Sequence, residues 1–339
     1  MSVTLSNRRN TLMSDLSFEL SELRQAADVV HTVVSPTPLY EWPKLRARLG
    51  CTVLVKHENH TPTGAFKVRG GLIYAQRLRQ SQPTVTGVIS ATRGNHGQSI
   101  AFAAARFGLR ATIYVPRGNS PDQNSSIAGF GARVVEFGRD FEEARQEAHR
   151  VAKLEGLHFV PSYHRDLVLG VASYALEIFH GARDLDAAYV SVGMGSGICG
   201  LIAMRDAMGL KTEIIGVCAA GAPATALSFA AGSAVATAAA NTFADGIATR
   251  NPDAQAVALI CRGAARIVQI EEDSIAEAVR TYYDDTHQVA EGAGAAPLAA
   301  LIQERQRMTN KRVVLILSGG NIERARFSQL LMGRTPPAA

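Results

Sequence analysis

The chain has 339 residues, of which 47% are hydrophobic and 19% are charged, and its formal net charge at pH 7 is +5. This length allows one large α/β unit or two closely joined lobes. Basic and acidic residues alternate and form no basic run, so a nucleic-acid-binding surface is not expected. The sequence contains no uninterrupted apolar stretch of the length that a membrane-spanning helix needs, so no membrane association is expected.

The four cysteines, Cys51, Cys199, Cys218 and Cys261, belong to no CxxC or CxxH pair. Such isolated cysteines are typical of free thiols in a reducing compartment. The N-terminal stretch contains neither an apolar signal region nor a cleavage site. The cytoplasm is therefore the expected location.

The first predicted elements are a flexible leader at residues 1–17 and a helix from Phe18 to Val34. A short β-rich run, Thr52 to Lys56, precedes a loop that contains Lys67. A helix from Gly70 to Arg79 follows this loop.

Residues 85–163 then alternate between predicted strands and helices, and the helices include Gln98 to Phe107. This alternation predicts a mainly parallel sheet with crossover helices. A second alternating set begins with a helix from Leu169 to His180 and ends with a strand from Arg312 to Leu317. We therefore predict two doubly wound α/β lobes. The small lobe, residues 85–163, is inserted into a large lobe formed by residues 18–84 and 164–339.

A glycine-rich loop, Gly193 to Gly197, follows an apolar strand and opens a helix predicted to start at Ile198. The unpaired N–H groups and the positive dipole at a helix start can bind a phosphate, and glycine lets the backbone approach it closely. The glycines also resemble a degenerate dinucleotide fingerprint, which needs an acidic residue at the end of the next strand. Glu213 instead precedes that strand, which disfavours a nicotinamide cofactor.

Three other segments contain candidate functional groups. Lys67 follows Phe66 in an apolar neighbourhood that would lower an amine pKa, as Schiff-base chemistry needs, although a solvated loop lysine is the ordinary case. Asn95 and His96 lie in a glycine turn after a strand, a common place for asparagine. Ser318 follows an apolar strand, and ligands of doubly wound sheets bind at the carboxyl ends of strands.

Together, four segments resemble the fold type II pyridoxal-phosphate enzymes, specifically the serine/threonine dehydratase and serine racemase branch. The segments are Phe66-Lys67, Gly94-Asn95-His96-Gly97, Gly193 to Gly197 and Ser318-Gly319-Gly320-Asn321. The resemblance covers about residues 25–325, and the motifs occur in the family order. It implies a tryptophan synthase β-like α/β fold, pyridoxal 5′-phosphate between two lobes, an amino-acid substrate and a homodimer.

The resemblance also implies roles for individual residues. Lys67 would form the Schiff base and remove the Cα proton. Asn95 would contact the 3′-oxygen of the ring, and Ser318 would hydrogen-bond the ring nitrogen. The residues that would bind the cofactor are Phe66, Lys67, Asn95, Gly193, Met194, Gly195, Ser196, Gly197, Glu291 and Ser318. The residues that would bind the substrate are Thr92, Arg93, Asn95 and His96.

Two departures from the family pattern refine these expectations. Arg93 stands where racemases of this branch have a proton-donating serine, and a guanidinium is a poor proton donor, so racemisation is disfavoured. Arg93 either enters the active site, as a catalytic-site or substrate-binding residue, or turns outward to a carboxylate. Cys218 and Ala224 replace the carboxylates of metal-activated members, so no divalent metal is expected, while a monovalent ion stays possible.

The predicted activity is removal of water and ammonia from a β-hydroxy-α-amino acid. Ala65 and the segment Gly170 to Ser173 depart from the family pattern. The substrate is therefore serine or threonine, or a bulkier analogue such as 3-phenylserine or 3-hydroxyaspartate. A catabolic role is expected because the chain ends shortly after Asn321. The alternatives are a racemase or β-replacement enzyme of the same fold and, more remotely, a non-enzymatic amino-acid-binding protein.

Overall fold

The computed structural model describes residues 17–338, so the predicted leader lies outside the described residues except for Ser17. Ten strands are found within the described range: β1 (Leu39–Glu41), β2 (Thr52–His57), β3 (Gly87–Ala91), β4 (Arg110–Val115), β5 (Arg133–Glu136), β6 (His158–Phe159), β7 (Ala187–Ser191), β8 (Glu213–Ala219), β9 (Arg266–Ile270) and β10 (Arg312–Leu317).

Thirteen α-helices connect these strands in the same range: α1 (Leu20–His31), α2 (Pro43–Leu49), α3 (Lys67–Ser81), α4 (Asn95–Arg106), α5 (Pro121–Gly129), α6 (Phe141–Glu155), α7 (Arg165–Gly181), α8 (Ser196–Ala207), α9 (Ala224–Ala231), α10 (Ala254–Gly263), α11 (Glu272–Thr286), α12 (Gly292–Gln303) and α13 (Arg324–Leu331). Short 3₁₀ turns occur at Glu58–His60 and Asp245–Ile247. No helix of the described residues is both long and apolar enough to span a bilayer.

The strands form two sheets. The larger has the order β1-β2-β10-β7-β8-β9, in which only β1 is antiparallel to its neighbour. The smaller is parallel throughout, with the order β5-β4-β3-β6. The predicted α/β fold with doubly wound sheets is therefore confirmed. The smaller sheet, residues 87–159, falls inside the predicted inserted lobe; the lobe boundaries themselves stay a prediction.

Alternating side chains of the large sheet enter different hydrophobic layers. Val314 and Ile316 of β10 pack in one layer with α1, α3, α7 and α8, whereas Val313 and Leu315 pack in the other with α2, α11 and α12. Successive strand residues point to opposite faces, so a strand buried on both faces must be apolar at every position. This layering explains the uninterrupted run from Val313 to Leu317.

Three helices begin earlier than the sequence predicted. The helix expected from Gly70 begins at Lys67, because Phe66 already has helical backbone angles (φ −59°, ψ −22°). Likewise α4 begins at Asn95, and α8 begins at Ser196. Apolar periodicity located only the turns that face the core, and the first turn of each of these helices does not follow that pattern. Lys67 and the Asn95-His96 pair therefore lie in helical first turns and not in loops.

A buried ion network holds the start of α3. Arg69 is completely buried and donates from Nε to Glu58 Oε2 (2.7 Å) and from Nη1 to Glu177 Oε1 (2.6 Å) and Ser173 Oγ (3.0 Å). The buried Lys56 ammonium also pairs with Glu177. Each of these buried charges is stabilised by a partner of opposite charge, because an unpaired buried ion loses its hydration without compensation.

Replacing Arg69 by Met should destabilise the protein strongly. The substitution leaves Glu58 and part of Glu177 without a cation, and removing one partner of a buried ion pair costs about 3–5 kcal/mol. The free energy of unfolding in urea measures the loss. The matched control is Arg46→Met, because Arg46 pairs with Glu41 on the surface, where both side chains are exposed, and a loss below about 1 kcal/mol is expected. Equal losses in the two variants would contradict a stabilising role of the network.

Candidate active site

A cavity of about 1040 Å³ lies where loops from both sheets meet. Its lining includes Lys67, Thr92, Arg93, Asn95, His96, Met194 and Glu291. The other predicted site residues do not line this cavity, but contacts described below connect several of them to its wall: Phe66, Gly193, Gly195, Ser196, Gly197 and Ser318. The fold thus brings together residues as far apart in the sequence as Phe66 and Ser318.

Lys67 is the first residue of α3, and its side chain reaches the cavity. Its Nζ lies 4.9 Å from the centre of the Phe66 ring, and no hydrogen bond from Nζ to the described residues is found. Burial lowers the pKa of Lys67, while the negative charge of Glu291 partly offsets this effect. An amine with a lowered pKa is available as a nucleophile and as a base near neutral pH.

Glu291 immediately precedes α12 and faces Asn95 across the cavity. Asn95 Nδ2 donates to Glu291 Oε1 (2.8 Å) and Oε2 (3.1 Å). Burial raises the pKa of Glu291 to about 7, although the hydrogen bond from Asn95 and the charge of Lys67 act in the opposite direction. Glu291 therefore changes its protonation state close to neutral pH.

Ser318 connects the end of β10 to the lysine helix. Its carbonyl accepts a hydrogen bond from the Phe66 N–H (3.0 Å), and Gly319 forms a β-bridge with Ala65. The Ser318 hydroxyl is buried, and its hydrogen bond with Ser191 Oγ is long, at 3.4 Å. This hydroxyl is therefore free to make a stronger bond to a ligand.

The glycine loop presents the start of α8. Gly195 has φ +101°, which strongly favours glycine. A Cβ at Gly193 would lie 2.2 Å from the carbonyl oxygen of Gly246, so a side chain is excluded there as well. Gly197 accepts a hydrogen bond from the buried Tyr174 hydroxyl (2.8 Å), which fixes the first turn. The unpaired N–H groups of such a turn form an anion site.

The first turn of α4 contains a buried histidine with an unpartnered atom. His96 Nε2 has no hydrogen-bond partner among residues 17–338, and burial with the nearby Lys67 charge lowers the pKa of His96 to about 3. The imidazole is therefore neutral at neutral pH. Beside it, Thr92 Oγ1 accepts a hydrogen bond from the Gly94 N–H (3.0 Å), which leaves the Thr92 hydroxyl proton available.

Arg93 lines the cavity and also reaches a carboxylate, so the two alternatives from the sequence are both partly realised. Its Nη1 lies 3.4 Å from Asp245 Oδ1, and the other oxygen of Asp245 accepts from Arg326 Nη1 at 3.1 Å. The sequence analysis missed Asp245 and Arg326. The turn-forming pair Asp245-Gly246 was the one local signal for this wall of the cavity.

These groups fit pyridoxal phosphate. The phosphate, the ring nitrogen and the ring oxygen of the cofactor need an anion site, a hydroxyl and an amide, and its aldehyde needs an amine. The α8 start, Ser318, Asn95 and Lys67 supply these groups in adjoining segments. Two features are expected of a ligand site. Gly193 lies so close to Gly246 that no side chain fits there, and the buried His96 Nε2 has no hydrogen-bond partner among the described residues.

Comparison with known proteins agrees with this chemistry. The family model of pyridoxal-phosphate dependent enzymes matches residues 30–319. The chain belongs to this family. The predictions of the family, the cofactor and the fold type are thereby confirmed, and the nicotinamide alternative is wrong.

Relatives of this pyridoxal-phosphate enzyme have named activities. The chain is 34% identical over 305 residues to an L-threonine ammonia-lyase of Geobacter sulfurreducens, which covers 89% of this chain and 75% of the relative. It is 27% identical to an L-threo-3-hydroxyaspartate ammonia-lyase of Saccharomyces cerevisiae, with 92% and 96% coverage.

Two solved structures are also similar to this enzyme. The processed form of threonine deaminase isoform 2 from Solanum lycopersicum has a TM-score of 0.86 and 28% identity, and the match covers 94% of both chains. A pyridoxal 5′-phosphate-dependent aspartate racemase has a TM-score of 0.86 and 25% identity, with 91% of this chain and 97% of that chain covered.

The raised pKa of Glu291 predicts a pH-dependent stability. An acid whose pKa rises from its ordinary value of 4.5 to about 7 on folding stabilises the folded state below pH 4.5. This contribution is lost as the pH rises toward 7. In the cofactor-free protein, the stability of wild type relative to Glu291→Gln should therefore fall by up to about 3 kcal/mol across that window. Urea unfolding at several pH values measures the difference. A pH-independent difference would contradict the raised pKa.

Proposed function

We propose that this enzyme is an ammonia-lyase that converts a β-hydroxy-α-amino acid to a 2-oxo acid and ammonia. Water is first eliminated across Cα and Cβ, and one water is taken up again when the unsaturated product hydrolyses, so ammonia is the net loss. The observation that carries the proposal is the position of the Lys67 amine, which lies beside an anion site and an amide and has no hydrogen bond to the described residues. Arg93, a poor proton donor, lines the same cavity. The names of the relatives from Geobacter and Saccharomyces support this activity.

The cofactor would be held by residues already described. The N–H groups at the start of α8, Gly195 to Gly197, would bind the phosphate, Ser318 would bond the ring nitrogen, and Phe66 would pack against the ring. Pyridoxal phosphate supplies an electron sink for negative charge at the substrate Cα. A neutral serine, unlike a carboxylate, does not hold a proton on the ring nitrogen, which favours loss of the β-hydroxyl over transamination.

The chain's own residues bind the substrate and move its Cα proton. The free N–H groups in the first turn of α4, at Asn95 and His96, form an anion site for the α-carboxylate, and the Thr92 hydroxyl adds a donor. Lys67 Nζ accepts the Cα proton, because burial lowers its pKa and so favours the neutral amine, which can act as a base.

Racemisation is the main alternative, and the aspartate racemase of similar structure makes it a serious one. It needs a second proton donor on the face opposite the lysine. We assign this position to Arg93, whose guanidinium keeps its protons at all relevant pH values. Elimination needs only the lysine face and is the favoured reaction.

We also propose three finer properties of this enzyme. The substrate is threonine or serine, or a bulkier analogue such as 3-hydroxyaspartate or 3-phenylserine. The small lobe spans residues 85–163, in which the smaller sheet lies. The enzyme is a cytoplasmic homodimer, as its family resemblance and free cysteines suggest.

The purified, cofactor-loaded enzyme should release 2-oxo acid and ammonia from at least one of serine, threonine, 3-hydroxyaspartate and 3-phenylserine. Turnover should be the same with EDTA and with magnesium. Lys67→Ala should lose at least 1000-fold in kcat, because the base is removed, and should lose the visible absorbance of the lysine-bound cofactor. Retained elimination by Lys67→Ala would refute the lysine assignment. A yellow wild-type protein inactive on all four substrates would refute the lyase.

Replacing Arg93 by Ser should change substrate preference. A charge-assisted hydrogen bond to a distal carboxylate is worth about 1.5–3 kcal/mol, so kcat/KM for 3-hydroxyaspartate relative to threonine should fall about tenfold or more. Arg250→Ser is the matched control, because Arg250 lines the same cavity and makes a comparable 3.4 Å pair with Asp140. An unchanged ratio in Arg93→Ser would show that Arg93 does not contact the substrate side chain.

A further inference from the structure

A chain of side-chain hydrogen bonds runs along the cavity wall from the segment before Lys67 to Glu291. Asn321 Nδ2 donates to the Thr63 carbonyl (2.7 Å) and to Asn95 Oδ1 (2.8 Å). Asn95 Nδ2 then donates to Glu291. The sequence motif Ser318 to Asn321 was recognised above, but its asparagine has no role in the proposed reaction.

We call this chain of hydrogen bonds, from Thr63 through Asn321 and Asn95 to Glu291, the relay. The contact at Thr63 sets the orientation of its two side-chain amides. The Thr63 carbonyl can only accept, so Asn321 must turn its amide nitrogen toward it. The second N–H of Asn321 then meets Asn95, which has to present its oxygen there and its nitrogen toward Glu291.

The Glu291 end does not fix the direction by itself. The pKa of Glu291 is raised to about 7, so near neutral pH its carboxyl group is partly protonated. A protonated carboxyl can donate as well as accept, and it would tolerate either orientation of the Asn95 amide. The orientation of Asn95 near neutral pH therefore depends on Asn321.

The surroundings of Asn321 hold it in this position. Gln123 Nε2 donates to the Asn321 carbonyl (2.9 Å), and Gln123 in turn accepts from Gln98 (2.8 Å). Gly64 has φ +67°, and a Cβ there would lie 2.5 Å from Asn321 Oδ1. The absence of a side chain at Gly64 therefore makes room for the Asn321 amide.

We propose that Asn321 is a positioning residue, which orients the Asn95 carboxamide so that one N–H faces Glu291 and the second is available to the cofactor. In this role Asn321, although it lines the cavity, acts through Asn95 and not on the substrate itself. Only the kinetic consequence of this inference rests on the proposed ammonia-lyase activity.

The test compares Asn321→Ala and Asn321→Asp with wild type as cofactor-loaded enzymes. Both variants lose the two N–H donors, so Asn95 is free to turn its oxygen toward Glu291. Losing a donor to the deprotonated ring oxygen should raise the pH midpoint of the visible cofactor band by about one unit. The dissociation constant of the cofactor should rise about tenfold in both. For the substrate that wild type turns over, kcat should fall more than KM changes.

Asn251→Asp is the matched control, since Asn251 is exposed, lines the same cavity and lies outside the relay. It introduces the same charge as Asn321→Asp and should leave the cofactor band unchanged. A shift seen with both aspartate variants but not with Asn321→Ala would be a charge effect and would overturn the inference. Unchanged spectra and cofactor affinity in both Asn321 variants would overturn it too.

A measurement on wild type covers the case in which the Asn321 variants do not fold. Neutron diffraction from deuterium-exchanged crystals of the cofactor-loaded enzyme locates the deuterons on Asn95 and Asn321 directly. We expect the deuterons on Asn95 Nδ2 to point toward Glu291. An Asn95 side-chain oxygen that faces Glu291 would refute the inference. If wild type releases no ammonia but the spectral shifts occur, the proposed activity fails and the positioning role of Asn321 stands.

Discussion

The buried pairing of Arg69 with Glu58 and Glu177 is the interaction on which the site depends, because it fixes the rotation of α3 about its axis. Residues two apart on a helix point in directions about 200° apart, since each residue turns the helix by about 100°. With Arg69 held in the network, Lys67 must point to the other side, into the cavity. The network pairs Lys56, Arg69, Glu58 and Glu177 with one another and does not include Lys67. Among the described residues, the Lys67 amine has no hydrogen-bond partner, and it lies in a position where it can react.

The same low-polarity environment moves Lys67 and Glu291 toward their neutral forms. Desolvation lowers the pKa of the amine and raises that of the acid, and their mutual attraction only partly reverses these effects. A neutral amine is what proton abstraction needs, whereas a permanently ionised pair would hold the proton on Lys67. Asn95 limits the rise in the Glu291 pKa, because its amide donates a hydrogen bond that stabilises the Glu291 carboxylate. The other end of the Asn95 amide accepts a hydrogen bond from Asn321. The polarity of the cavity is thus controlled by neutral amides as much as by charges.

The sequence predicted what is locally encoded. The strand Arg312 to Leu317 was located to the residue, because burial on both faces requires a continuous apolar run. The loops at the carboxyl ends of strands were identified as ligand loops, and the family resemblance named the groups in them. The partnership of Gly193 with Gly246, and of Arg93 with Asp245, could not be predicted. These contacts join segments without a shared local pattern, and only the packed sheets bring them together.

The site also shows how this fold can bind a strongly anionic cofactor without a cluster of basic residues. Four helices, α3, α4, α8 and α12, begin at Lys67, Asn95, Ser196 and Gly292, around the same cavity. Three of these helices, α3, α4 and α8, follow the parallel strands β2, β3 and β7, whereas α12 follows α11. A helix that follows a parallel strand starts near the carboxyl end of that strand, so its positive dipole end is directed toward a ligand there. The glycine loop, Gly193 to Gly197, contains no lysine or arginine. Anion binding there follows from backbone geometry, which leaves Lys67 and Arg93 free for the chemistry and for recognition of the substrate.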